Sequence, residues 1–121
     1  MRVNLWLVAA AVNGFLAVAC GAFAAHGLAD HLEPHALQIF ETAARYHMYH
    51  ALAIGLAALT QRGMAQWAAG LFLAGIVLFS GSLYLLALTA WHPLAFLTPI
   101  GGVAFLCGWA ALAVAAAKVA R

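Results

Sequence analysis

Four side chains that can carry a charge or a proton occur close together, directly ahead of an apolar run. They lie in the stretch ETAARYHMYH, residues 41–50, and are Glu41, Arg45, His47 and His50. An arginine can bind an anion or a carboxylate, and a histidine can bind a ligand or transfer a proton near neutral pH. The apolar run that follows, ALAIGLAAL at residues 51–59, is too short to cross a bilayer by itself.

The composition indicates that the elements around this stretch lie in a membrane. Hydrophobic residues make up 68% of the 121 residues and charged residues only 7%, whereas soluble domains carry roughly 25% charged residues. No Asp, Glu, Lys or Arg occurs between Val3 and Ala29 or between Gln66 and Ala117. The net charge of +2 comes without any basic run, which disfavours nucleic acid as a partner.

Four apolar segments, at about 4–25, 40–60, 66–90 and 97–117, are candidate transmembrane helices. A spanning segment must satisfy its own backbone hydrogen bonds, so each is predicted to be helical. Pro34 suits the first turn of the second helix, and Thr98 with Pro99 suits the N-cap and first residue of the fourth. We therefore expect an all-α polytopic membrane protein, with residues 1–121 forming one domain of four transmembrane helices in an up-down bundle.

Orientation follows from the basic residues, which are retained on the cytoplasmic side of a membrane. With four crossings, one face carries Arg2, Arg62, Lys118 and Arg121. Both termini of this multi-pass protein are therefore predicted to be cytoplasmic. Tyr84, Trp67 and Trp91 fall near the predicted interfaces, where amphipathic rings anchor helices.

The rise of an α-helix, about 1.5 Å per residue, gives each polar residue a depth. Measured from Thr60, His50 lies roughly 15 Å into the membrane and Arg45 roughly 22 Å. A charge at the helix centre costs about 2.5 to 3.5 kcal/mol, so such residues face the bundle interior or a wet cavity. We therefore expect an outward-open polar pocket, formed by side chains at similar depths: Asn13, Arg45, Tyr46, His50, Ser80 and Ser82.

Alternatives remain for the two most polar members of this set. Arg45 could pair with Glu41, which lies in the favourable i, i+4 order, could extend to the outer interface, or could bind an anionic ligand. His50 could be a neutral imidazole that hydrogen-bonds Asn13 or a serine of the third helix. It could equally handle a proton or a ligand, as histidines within transporter membranes do.

The motifs for catalysis and for metal binding are absent from the sequence. There is no nucleophile and base pair, no paired carboxylates and no cofactor motif, so no enzymatic activity and no cofactor are predicted. Among the six histidines, His47 and His50 lie three residues apart on one helix and are the candidates for a metal-binding pair. Without a third ligand no metal site is predicted, and His26, His31 and His35 are expected at the wet outer surface.

Four stretches resemble the YgdD/YwdK-like family of small inner-membrane proteins (domain of unknown function 423). They are GAFAAHGL at 21–28, FETAARYHMYHALA at 40–53, LFSGSLYLLAL at 78–88 and FLTPIGGVAFLCGW at 96–109. The resemblance implies four transmembrane helices in a bacterial cell inner membrane and no assigned activity. It also adds His26 and Thr98 to the expected pocket. The family more often has Gln where this chain has His47.

Two functions follow from these expectations. In the first, the outward-open pocket binds or passes a small polar solute, a lipid headgroup or a proton. In the second, the protein is a structural or accessory subunit that assembles with larger membrane complexes. Small residues four apart allow close helix approach in lipid, so such pairs serve either the bundle itself or a homo-oligomer. The pairs are Ala10/Gly14, Ala17/Gly21, Ala51/Gly55, Gly70/Ala74 and Ala104/Gly108. Membrane lipids are the other expected partners.

Overall fold

The computed structural model describes residues 4–61 and 63–119, and these residues form helices and turns without any strand. The four helices are α1 (Leu5–Leu28), α2 (Pro34–Thr60), α3 (Met64–Thr89) and α4 (Leu97–Val119). A 3₁₀ turn, His92–Phe96, leads into α4. The all-α class is therefore confirmed. Arg2, Arg62 and Arg121, on which the predicted orientation largely rests, lie outside the described residues.

Three segments of the described chain are long and apolar enough to cross a membrane: Leu5–Leu28, Met64–Thr89 and His92–Lys118. The second helix, α2, has 27 residues and is long enough to span, at about 1.5 Å per residue. It does not reach the hydropathy of the others because it carries Glu41, Arg45 and several histidines. Length and composition thus identify three of the four predicted spans.

Local chemistry explains where the helices begin and end. Pro34 occupies the first turn of α2, as expected for a residue with a fixed φ and no N–H. Gln61 and Ala90 adopt left-handed conformations, both with φ of 56°, and terminate α2 and α3. The predicted N-cap at Thr98 is wrong, because the 3₁₀ turn leads directly into α4, which begins at Leu97, two residues before the predicted first residue Pro99.

Two π-helical turns interrupt the regular helices. One, Ala24–Leu28, ends α1, and the other, Ile76–Ser80, lies in the middle of α3 between α-helical Met64–Gly75 and Gly81–Thr89. A π turn holds one residue more than an α-helical turn, so it rotates the side chains that follow by about 100°. Such turns often mark functional sites. The turn in α3 directly precedes Ser82 and Tyr84.

The helices pack unequally. α1 packs mainly against α2, whereas α3 packs against both α2 and α4. The larger core lies between α2, α3 and α4 and is centred on Ile54, Phe72 and Phe105. A smaller cluster at the other end contains Phe40 and Leu28. The bundle is therefore close-packed on its α4 side and more open between α1 and α3.

Glycines account for the tight α3–α4 contact. A Cβ added at Gly101 would overlap the backbone of Phe79, and one at Gly108 would lie 2.7 Å from the ring of Phe72. By contrast, a Cβ at Gly14 or Gly21 would meet nothing within 4 Å. Of the small residues noted in the sequence, those of α4 are used within the bundle and the glycines of α1 are not.

Candidate functional site

A chain of hydrogen bonds links α1, α2 and α3 through His47. The Nε2 atom of His47 lies 3.0 Å from Oδ1 of Asn13, and its Nδ1 atom lies 3.0 Å from the hydroxyl of Tyr84. Asn13 in turn donates from Nδ2 to the carbonyl oxygen of Ala9 at 2.8 Å. Asn13 and His47 are both buried. One side chain from each of three helices thus meets at this point.

These partners determine the direction of every hydrogen bond in the chain. Because Asn13 donates its amide N–H to a carbonyl, its Oδ1 is the acceptor that faces His47. The hydrogen of neutral His47 must then be on Nε2, which leaves Nδ1 to accept from the hydroxyl of Tyr84. The network is complete with a neutral imidazole, as expected for a buried group in an apolar bundle.

His50 belongs to a second, separate arrangement. Its Nδ1–H donates to the carbonyl of Tyr46 at 2.7 Å, and its Nε2 accepts from the indole N–H of Trp109 at 3.1 Å. The imidazole stacks on Phe105, with ring centroids 3.5 Å apart and planes 7° apart. His50 is therefore fully hydrogen-bonded and enclosed by the aromatic side chains of α3 and α4.

The expectation that His50 bonds Asn13 or a serine of the third helix is wrong. His47 and His50 are three residues apart, which places them about 60° apart around α2. That rotation directs His47 towards α1 and α3 and His50 towards α4. The contact with Asn13 that was expected of His50 is made by His47.

The two serines of α3 lie in different environments. Ser82 donates to the carbonyl of Phe79 at 2.9 Å, and the hydroxyl of Thr98 therefore donates to Ser82, 2.6 Å away. This contact joins α3 to α4 and uses the hydroxyl that the sequence assigned to a cap. Ser80 is fully buried, and among the described residues its hydroxyl has no hydrogen-bond partner.

The remaining residues of the expected pocket lie on the surface of the bundle. His26, on the π turn of α1, is exposed, as are Arg45 and Tyr46. Arg45 donates from Nη2 to the hydroxyl of Thr42 at 3.2 Å. The ring of Tyr46 packs against Phe79, with centroids 5.0 Å apart. The eight predicted residues therefore do not converge on one polar pocket.

An open cavity of about 580 Å³ on the surface of the bundle borders the His47 network, and its rim residues Val77 and Leu85 are exposed. Its walls are almost entirely apolar and come from α1, α3 and the turn before α4. The polar side chains that reach it are Asn13, His47, Ser82 and Tyr84, and Cys20 also lines it. A second cavity of similar volume lies near Asn4 and Gln61, at the opposite end of the bundle.

Sequence reasoning missed the roles of Tyr84, Trp109 and His47. Tyr84 was expected to be an interface anchor, yet its hydroxyl is bonded inside the bundle. The available signal was its position in an uncharged apolar helix, where a buried phenol usually finds a partner.

Within residues 4–61 and 63–119, no three His, Cys, Asp or Glu side chains are grouped to hold a metal ion.

Comparison with known proteins identifies relatives along the whole chain. The sequence profile of the family described as "Protein of unknown function (DUF423)" matches residues 20–102. The chain is 45% identical over 125 residues to the UPF0382 inner membrane protein YgdD of Escherichia coli K12, which covers 100% of this chain and 95% of the relative. It is 44% identical over 120 residues to the UPF0382 membrane protein YwdK of Bacillus subtilis, covering 95% and 98%. No solved structure matches the chain. The resemblance read from the four sequence stretches is thus confirmed.

Proposed function

The chain belongs to the DUF423 family of membrane proteins, and from its apolar cavity we propose that it binds a neutral amphipathic molecule that enters from the membrane. The observation that carries this proposal is the cavity of about 580 Å³ beside His47. Sites for small molecules are typically mostly apolar hollows of about 300 to 1,000 Å³ with a few placed polar groups. This proposal replaces the water-filled polar pocket expected from the sequence with a lipid-accessible one.

The chemistry of the cavity floor supports a neutral ligand. Its lining contains no Asp, Glu, Lys or Arg, and the neutral form of His47 completes the hydrogen bonds there. The hydroxyl oxygens of Tyr84 and Ser82 keep free lone pairs, and Asn13 keeps a second amide N–H. A hydroxyl group beside an ester carbonyl, as in a diacylglycerol, could use both kinds of partner. An anionic phosphate would find no cation.

The proposal includes a four-span topology, with both termini in the cytoplasm of a bacterial cell. The relative from Escherichia coli is named an inner membrane protein, and we propose the same location here. In this arrangement α2 crosses with the others, because α1, α3 and α4 cover His47 and His50. The polar side chains that stay exposed lie mostly in its first half: His35, Gln38, Arg45, Tyr46 and Tyr49. Reporter fusions after residue 121 and in the 29–33 turn test the orientation. A C-terminal reporter active outside the cytoplasm would contradict it.

Photolabelling in proteoliposomes tests the ligand class. A photoactivatable diacylglycerol should label residues that line the cavity, such as Leu16 and Val77, more strongly than a photoactivatable phosphatidylglycerol does. Val77→Trp should fill the cavity and abolish the difference. Val103→Trp is the matched control, because Val77 and Val103 are similarly exposed, at 62% and 59%, and only Val77 lines the cavity.

The two cysteines give an independent measurement. Cys20 lines the cavity, whereas Cys107 is exposed on α4. Added diacylglycerol should slow the reaction of Cys20 with a lipid-soluble maleimide and leave the reaction of Cys107 unchanged. Equal rates, together with unspecific photolabelling, would contradict ligand binding. Co-purification with another membrane protein in mild detergent would then favour the second function, an accessory subunit.

A further inference from the structure

Glu41 and Arg45 form a pair of opposite charges that the bundle does not neutralise. They lie one turn apart on α2, yet Arg45 donates to Thr42, and within the described residues no ion pair joins the two. Arg45 is exposed and Glu41 half-buried. Because a charge within the membrane is costly even on lenient scales, both side chains are expected to have partners.

The surface around these two charges is a shallow depression that small residues help to line. Glu41 and Arg45 border a shallow hollow of about 270 Å³ between α1 and α2, together with Ala17 and Gly21. A Cβ added at Gly21 would meet nothing within 4 Å, and the same holds for Gly14 two turns earlier. The bundle therefore leaves space beside these two glycines, whereas Ala17 between them is buried within it. Small residues of this kind allow close helix approach in lipid.

We propose that this face binds a second copy of the chain, with Glu41 of each protomer paired to Arg45 of the other. In a two-fold symmetric interface, residue i of one copy contacts residue j of the other and the reverse. Both copies have the same orientation in the membrane, so the two-fold axis runs along its normal and each residue lies level with its own copy. Arg45 must therefore extend along the interface to reach Glu41 of the other copy. The two residues differ in height by about 6 Å, and the long arginine side chain can cover that distance.

A lipid phosphate is the competing occupant of the same hollow. It would use Arg45 alone and would place its negative charge beside Glu41. The carboxylate therefore disfavours an anion and favours a partner that brings both charges. This choice is independent of the ligand proposed for the cavity, because none of the residues of this hollow lines that cavity.

Charge reversal tests the pairing in the full chain, purified in mild detergent and labelled for energy transfer between copies. Glu41→Arg and Arg45→Glu should each lower the affinity of the dimer by about fivefold or more, because like charges then face each other. The double variant Glu41→Arg/Arg45→Glu should restore the dimer. If Glu41 and Arg45 paired within one chain instead, the double variant would restore that ion pair too. The single variants would then leave the energy transfer between copies unchanged. Unchanged transfer in both single variants would overturn the proposal.

Cysteine cross-linking locates the interface independently of charge. In a Cys20→Ser/Cys107→Ser background, Gly21→Cys should form a disulfide between copies, since a Cβ is accommodated there. Leu106→Cys is the control, because Leu106 is 72% exposed on α4, away from the proposed face. Equal cross-linking at the two positions would overturn the proposal. So would a monomer that retains phosphatidylglycerol through Arg45 and loses it in Arg45→Glu.

Discussion

The α3–α4 side of the bundle and the α1–α3 side bury polar groups in opposite ways. On the α4 side, His50 stacks on Phe105 and accepts from Trp109, and glycines bring the backbones together. On the α1 side, His47 completes its hydrogen bonds with Asn13 and Tyr84 but borders a cavity. Two histidines of one helix thus serve different purposes: His50 fixes a close-packed interface, and His47 forms the floor of an open one.

This difference indicates where stability and function reside. In lipid there is little hydrophobic drive between helices, so the bundle depends on close packing and on satisfied polar groups. The α3–α4 contact provides the packing around Gly101 and Gly108, where the close backbones leave no room for a ligand. The α1–α3 side provides room, and its hydrogen bonds hold α1 in place without filling the space.

The largest effect is expected for Gly101→Ala, which tests the packed side. The added Cβ would overlap the backbone of Phe79, and backbone cannot move aside as a flexible side chain can. We expect a loss of about 3 kcal/mol in the free energy of unfolding, at the upper end for overpacking. Unfolding in mixed micelles by a denaturing detergent measures it.

The matched control for that prediction is Gly14→Ala on α1. A Cβ there meets nothing within 4 Å, so the change in the free energy of unfolding should stay within about 0.5 kcal/mol, as for other substitutions without new contacts. Similar losses in the two variants would show that the bundle does not rely on the α3–α4 glycines in particular.

The second largest effect is expected for His50→Gln. A glutamine can replace one of the hydrogen bonds but cannot stack on Phe105, and it leaves space among the aromatic rings. We expect about 2 kcal/mol of destabilisation, in the range for loss of a well-packed buried side chain. Trp109→Phe replaces the indole by a smaller ring without an N–H but leaves His50 stacked on Phe105, and Trp109 is 42% exposed, so its effect should be milder. An equal loss in both variants would assign the effect to the contact with Trp109 instead of the stacking.

The helices were predictable from the sequence, and the depths assigned to the polar residues remain predictions. Uncharged apolar stretches must be helical in lipid, and the rise per residue is fixed. Asn13 was placed level with His50, but the histidine that it contacts is His47, one turn earlier on α2. Family membership was equally visible, because the matching stretches contain unusual combinations such as ARYHMYH and TPIGG.

The pairings could not be predicted, because they depend on rotation around each helix axis. His47 and His50 differ in height by only about 4.5 Å, whereas about 60° of rotation assigns them to different neighbours. The π turn in α3 further rotates the side chains of Ser82 and Tyr84 around the helix axis. No residue type in its sequence, IVLFS, predicts a π turn. The same limit explains why Arg45 and His50, only five residues apart, were wrongly assigned to one pocket.

The open side is tested by Tyr84→Phe, for which a smaller effect is expected. The substitution removes one hydroxyl, so Nδ1 of His47 loses its donor. Hydrogen bonds between helices in membranes contribute about 1 kcal/mol, and we expect a loss of that size in the free energy of unfolding. Diacylglycerol photolabelling should also fall, since the hydroxyl lines the cavity. If the stability falls but the labelling does not change, the hydroxyl of Tyr84 stabilises the bundle and does not contribute to ligand binding.

The smallest effect is expected for His47→Gln, because a glutamine also offers one acceptor and an N–H donor to Tyr84 and Asn13. The change in the free energy of unfolding should be about 0.5 kcal/mol or less, with labelling preserved, if hydrogen bonding alone defines this position. His47→Leu is the control, since it leaves both partners unpaired and should cost about 2 kcal/mol. A glutamine as damaging as the leucine would mean that the imidazole ring itself is required, and would make the two histidines of α2 alike where the structure shows them to differ.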